Sequence, residues 1–149
     1  MQWQIRINTE SGTKNEADGE WFYKISPPCV FIEFRGCVNK EAFVDFTNKI
    51  ADEITGNSIK NLHHLIINVK QFELATAESV HIAKAYFETV KSRGYKQVDY
   101  VAPNSVAQSL IESVWKDSGL RVTFHKDINS FLEINPQCEK MRAWLESAT

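Results

Sequence analysis

Leu65-Ile66-Ile67-Asn68-Val69, the polar turn that begins at Lys70, and the helical pattern that opens at Thr76 together decide the fold. The run is short, apolar and nearly unbroken, as in a central strand covered on both faces. The same beat returns at Val98 to Ala102 with a helix from Asn104, and at Arg121 to Phe124 with a helical turn from Asp127. A strand followed by a helix, repeated, predicts a parallel sheet, because parallel neighbours need a crossover of a dozen or more residues.

The pattern extends upstream with a different rhythm. Trp3, Ile5 and Ile7 alternate with polar residues, as do Trp21, Tyr23 and Ile25. Cys29 to Gly36 reads as a half-buried strand, with Val30, Ile32 and Phe34 on one face and Phe31, Glu33 and Arg35 on the other. Asn39 is placed to cap a helix carrying Phe43, Phe46, Ile50 and Ile54, and Gly56 stands where a left-handed C-terminal residue is expected. The next helix, from about Thr76 to Arg93, sets Val80, Ala83, Phe87 and Val90 on one stripe. The helix after Asn104 is expected to bury Val106, Ala107, Leu110, Ile111, Val114 and Trp115. Pro136 opens a last helix with Cys138, Met141, Trp144 and Leu145 inward. Residues 9–20 hold glycines and charges without a large apolar residue, which predicts an exposed loop.

These elements predict a single α/β domain over residues 1–149. Its mixed sheet has about five or six strands, largely parallel in its C-terminal half, with about four to five helices. The hydrophobic fraction of 43% and charged fraction of 24% are those of an ordinary globular protein. A net charge of -2 lacks the basic excess of a phosphate-backbone binder, so no nucleic-acid partner is expected. No apolar run is long enough for a transmembrane segment, and the amino terminus alternates rather than forming a signal core. The three cysteines contain no Cys-x-x-Cys and cannot all pair within one chain, which fits a reducing, cytoplasmic setting.

In open sheets with parallel strands, ligands and partners tend to meet the carboxyl ends of the strands, where helix starts also present free N–H groups. That rule gathers Lys70, Gln71, Glu73, Thr76 and Ser79 after one strand, Asn104 and Ser105 after the next, and His125 and Lys126 after the last. Thr76, Asn104 and Ser105 are also plain helix caps. No catalytic residue, cofactor site or metal site is expected. His63 and His64 would point to opposite faces of a strand, His81 has no helical partner, and His125 stands alone. Nucleophile-elbow, dinucleotide and phosphate-loop motifs are absent. Among the cysteines, Cys37 near a helix start is the one to test for reactivity, whereas Cys29 and Cys138 read as core.

The strand Leu65 to Val69 leading through Phe72 and Leu74 into its helix resembles the STAS superfamily, in particular its SpoIIAA-like branch. So do Tyr95-Lys96-Gln97-Val98-Asp99-Tyr100-Val101-Ala102 and Arg121-Val122-Thr123-Phe124-His125-Lys126-Asp127 with the closing Trp144-Leu145. The resemblance runs from about Trp21 to Leu145. It implies a small regulatory or binding module, not an enzyme, acting through an unidentified protein partner. Antagonists of anti-sigma factors in that superfamily are phosphorylated on a serine in an Asp-Ser-Ser-Gly motif. Here the matching stretch is Thr76-Ala77-Glu78-Ser79, with alanine near the acceptor position. Relatives of this fold are also similar to lipid-binding modules. The alternative expectation is therefore a carrier of a small apolar ligand, with Phe43, Phe46, Phe87, Trp115 and Phe131 lining a pocket. The alternating strands at Trp3 and Trp21 suggest a sheet edge through which a homodimer would form.

Overall fold

A computed structural model describes residues 3–8, 19–74, 76–116 and 118–146, the first of these segments by its backbone. The strands are β1 (Trp3–Asn8), β2 (Glu20–Ser26), β3 (Cys29–Gly36), β4 (His64–Phe72), β5 (Gln97–Val101) and β6 (Arg121–His125). The helices are α1 (Lys40–Gly56), α2 (Ala77–Lys91), α3 (Ser105–Trp115), α4 (Ile128–Ile134) and α5 (Arg142–Glu146), with a 3₁₀ segment at Pro136–Met141 before α5. They form one mixed sheet of six strands in the order β1-β2-β3-β4-β5-β6. The β1–β2 and β2–β3 pairs are antiparallel; β3–β4, β4–β5 and β5–β6 are parallel.

This sequential order follows from the repeated crossovers. Each crossover helix returns the chain to the next position along the sheet, so α1, α2 and α3 share one face. Phe43 and Phe46 of α1, Tyr86 and Phe87 of α2, and Ile111 and Trp115 of α3 join one core with Val30, Ile32, Leu65, Ile67, Val98 and Tyr100. Phe34 is its aromatic hub, with ring centroids 5.2 Å from Phe43 and 5.3 Å from Phe46. Side chains close the helix starts: Asn39 Oδ1 accepts from the Ala42 amide at 2.9 Å, and Asn104 Oδ1 from the Ala107 amide at 2.8 Å.

The opposite face is covered as well. Phe31, Ile66 and Val101 pack beneath Phe131, Leu132, Cys138, Met141, Trp144 and Leu145. β3 is therefore buried on both faces, not half buried, and even Glu33 is 2% exposed. Its carboxylate is held by Arg35 Nε at 2.7 Å, while the Arg35 guanidinium lies 4.4 Å from the centre of the Phe22 ring.

Other local expectations are revised. Glu20 opens β2 instead of ending a loop; residues 9–18 of that predicted loop lie outside the described residues. Gly56 is the last residue of α1, Asn57 caps the helix through Glu53 O, and the left-handed residue is Ser58. Val106 is 56% exposed because the buried stripe of α3 runs through Ala107, Ile111 and Val114, leaving Val106 on the outer side. The last predicted helix divides into the 3₁₀ segment and α5.

Candidate functional site

The carboxyl ends of β3 and β4 splay into an open crevice of 710 Å³. Its lining includes Gly19, Arg35, Cys37, Lys70, Glu73 and Asn104, together with Glu20 and Gln71. Each wall has a local cause. Glu73 N–H donates to Gly36 O at 3.0 Å, tying the exit of β4 to the end of β3. Asn104 Nδ2 donates to Phe72 O at 3.1 Å while its Oδ1 caps α3, so one side chain fixes both a helix start and the crevice floor. Gly19 adopts φ +87° against the chain after β3, where an added Cβ would lie 2.8 Å from Val38 Cα. Side chains of both charges line the opening, so it offers mixed polar contacts.

Of the expected surface residues, Lys70, Gln71, Glu73 and Asn104 meet in this crevice. Thr76, Ser105 and Lys126 are exposed at the same edge but outside its lining. Ser79 and His125 are buried, at 5% and 3% exposure, and belong to no surface. Thr76 Oγ1 accepts from Ser79 N–H at 3.0 Å, and Ser79 Oγ accepts from Thr76 N–H at 3.0 Å while donating to Thr76 O. That reciprocal capping box occupies both hydroxyls. Arg35, Glu20 and Cys37 were not singled out for this edge; the signal was Gly36, whose turn delivers Cys37 to it.

The five aromatics expected around an apolar pocket do not share one: of them, only Phe43 borders the open groove between α1 and α2. Phe43, Phe46, Phe87 and Trp115 are buried in the core under α1 to α3, whereas Phe131 packs on the other side of the sheet. Free space against Ile32, Phe46, Leu65 and Tyr86 amounts to 20 Å³, enough for about one water. A separate open groove of 540 Å³ runs between α1 and α2, along Phe43, Val44, Ile82 and Tyr86.

A second polar assembly lies inside the molecule, on the face covered by α4 and α5. Strand register places Cys29 beside His64, His64 beside Gln97, and Gln97 beside Arg121, a row across the amino ends of four strands. Cys29 Sγ is 3.6 Å from His64 Nδ1, and His64 Nε2 is 2.5 Å from Asp99 Oδ2. Asp99 Oδ1 is also 2.7 Å from His125 Nε2, and Gln97 Nε2 donates to Asp99 Oδ2 at 2.9 Å. Arg121 in turn donates to Gln97 Oε1 at 2.6 Å. Cys138, from the covering 3₁₀ segment, packs in the same buried cluster as Cys29.

The charges follow from these contacts. Cys138, against the opposing effect of burial and with further help from His64, brings the Cys29 thiol down to about 5. Burial pulls His64 down, but Asp99 and Cys29 outweigh it and raise the imidazole to about 9. Burial would raise Asp99; its hydrogen bonds with His64, His125 and Gln97 hold it below the ordinary carboxylate range. Cys138 is pushed up, first by Cys29 and then by burial. Both shifts run toward a Cys29 thiolate beside a His64 imidazolium. Cys29 and Cys138 thus occupy the core as expected.

Among the described residues, no group of three or more His, Cys, Asp or Glu is arranged to hold a metal ion, and no helix is long and apolar enough to cross a membrane. No protein-family model and no curated protein matches the chain.

Proposed function

We propose that this chain is a STAS-like regulatory module, without catalytic turnover, that binds a protein partner at the strand-end crevice. The observation that carries the reading is the convergence of Lys70, Gln71 and Glu73 at the end of β4 and Asn104 at the start of α3 with Arg35 and Glu20 around one concave opening. Lysine and glutamate side chains in one open polar recess suit a partner loop that brings both a carboxylate and a cation, with charge pairing setting specificity more than affinity. The order of elements from Trp21 to Leu145 fits the same family reading, and the absence of Cys-x-x-Cys fits a cytoplasmic setting. The apolar-carrier alternative is less well supported, because its proposed lining residues fill the core and lie on two faces of the sheet.

The test is charge reversal at the crevice. Cross-linking followed by mass spectrometry should identify a protein joined to the crevice of the unaltered chain. Lys70→Glu and Glu73→Lys should each weaken its capture, while Lys49→Glu, an exposed change on α1, should not. Equal capture by all variants would reject this surface, and a lipid retained through purification and seen by native mass spectrometry would favour the carrier.

A further inference from the structure

We infer that Cys29 and Cys138 are a reactive thiol pair, a modification site that takes a small hydroperoxide and closes to a disulfide between β3 and the 3₁₀ segment. This inference is independent of the partner-binding reading. Three observations of geometry carry it. Cys29 Sγ stands 3.6 Å from His64 Nδ1, whose other nitrogen is anchored 2.5 Å from Asp99. Asp99 is itself fixed from three directions by His64, His125 and Gln97. A second sulfur, Cys138, is packed in the same buried cluster as the first although the two are far apart in sequence.

A buried structural cysteine needs none of this. Thiols in apolar cores are inert because burial disfavours the thiolate, and reactive ones sit beside a cation. Cys29 has that cation, and the cation has its own buried counterion. The carboxylate holds the imidazole with Nδ1 facing sulfur, the orienting role that a third group plays in activated nucleophiles.

Access selects the reactant. Cys29 is 8% exposed and directly follows the exposed turn at Pro27 and Pro28. At 8% exposure Cys29 offers little surface to a peptide or other bulky electrophile, whereas a hydroperoxide needs only to present one oxygen. The thiolate attacks the terminal oxygen of the hydroperoxide, the O–O bond breaks, and a sulfenic acid forms on Cys29. The departing alkoxide, or hydroxide from hydrogen peroxide, takes the proton of the His64 imidazolium. The Cys138 sulfur then attacks the Cys29 sulfur. The S–O bond breaks, an S–S bond forms, and the Cys138 proton leaves with the hydroxyl as water. The two sulfurs together lose two electrons and the hydroperoxide gains them.

The consequence is structural. Cys138 belongs to the layer that covers Phe31 and Ile66, so the new bond fastens that layer to the start of β3. Cys37, at the opposite end of β3 in the crevice, lies away from the relay and serves as the internal control.

The experiment treats the full native chain with hydrogen peroxide, then alkylates it in denaturant and maps the peptides without reduction. The expected product is lighter by two hydrogens, has the Cys29 and Cys138 peptides joined, carries alkylated Cys37, and is restored by a thiol reductant. Cys138→Ser should stop at a Cys29 sulfenic acid trapped by dimedone. His64→Gln should slow loss of the Cys29 thiol at neutral pH by about tenfold or more, since it removes the cation that maintains the thiolate. The unaltered chain alone suffices to overturn the inference: it fails if Cys37 oxidises while Cys29 and Cys138 remain alkylated, or if the disulfide links another pair.

Discussion

Asp99 shows how much a single buried residue can organise. It sits between Val98 and Tyr100 in an otherwise apolar run, is 1% exposed, and receives two imidazoles and an amide. Asp99→Ala would strand those partners in the interior, one of them a cation, so the loss should be about 3–5 kcal/mol, as when a buried ion pair loses one member. Urea unfolding of the variant against the unaltered chain measures it; a change below about 1 kcal/mol would mean that the relay is not held together by this carboxylate. At Gly19 a different constraint operates, since both φ +87° and the 2.8 Å approach to the Val38 backbone exclude a Cβ. Gly19→Ala should cost about 1–3 kcal/mol in the same assay. Asp99 was visible in the sequence as a polar residue inside a strand signal, but its partners were not. His64 and His125 are far apart along the chain, and only the register of three parallel strands brings them to one carboxylate. Asn39, Thr76 and Asn104 were legible because a cap acts within its own helix start.

Among elements, β2 and β3 mark where pattern reading succeeds and where it stops. The alternation of Trp21, Tyr23 and Ile25 correctly reports their buried face, because the residues between them are only partly covered. In β3 the same logic made Phe31 and Glu33 a wet face, since nothing within that strand announces that the C-terminal segments fold back over it. Their own apolar residues were read as inward-facing, but not against which surface. Trp144 is the clearest case: 7% exposed, its ring centroid is 6.2 Å from that of Phe31. Trp144→Ala should cost about 3–5 kcal/mol through lost burial and the cavity left behind. Ile134→Ala is the matched control, because Ile134 is 68% exposed and its truncation should stay within about 0.5 kcal/mol. Similar losses for both variants, by chemical denaturation, would mean that the C-terminal layer contributes no more than an exposed side chain.

For the whole molecule, the sequential strand order has a double consequence. It puts all three crossover helices on one face, closing the main core around Phe43, Phe46, Phe87 and Trp115, and leaves the other face, with Phe131, to the C-terminal layer. The parallel half and its carboxyl edge were therefore readable from the repeated beat, whereas the crevice depended on how loops from both halves meet, and the thiol relay on which surface the C-terminal layer covers, which no local pattern reports. That relay ties global stability to pH in a direction set by its two shifted groups. Cys29, depressed to about 5 from 9.0, contributes stability that is complete above 9.0 and disappears as the pH falls through about 5. His64, raised from 6.5 to about 9, contributes stability that is complete below 6.5 and disappears as the pH rises through about 9. Between 6.5 and 9 the two trends cancel, since folding there moves a proton from sulfur to imidazole. Below 6.5 only the cysteine trend remains, so the pair should lose stability as the pH drops from 6.5 toward about 5. Glu33 and Asp99 titrate on their own account, so the measurement is the difference in unfolding free energy between the unaltered chain and Cys29→Ala/His64→Gln. That difference should be level from about 6.5 to 9 and shrink toward about 5; a difference independent of pH would mean that thiol and imidazole face each other uncharged.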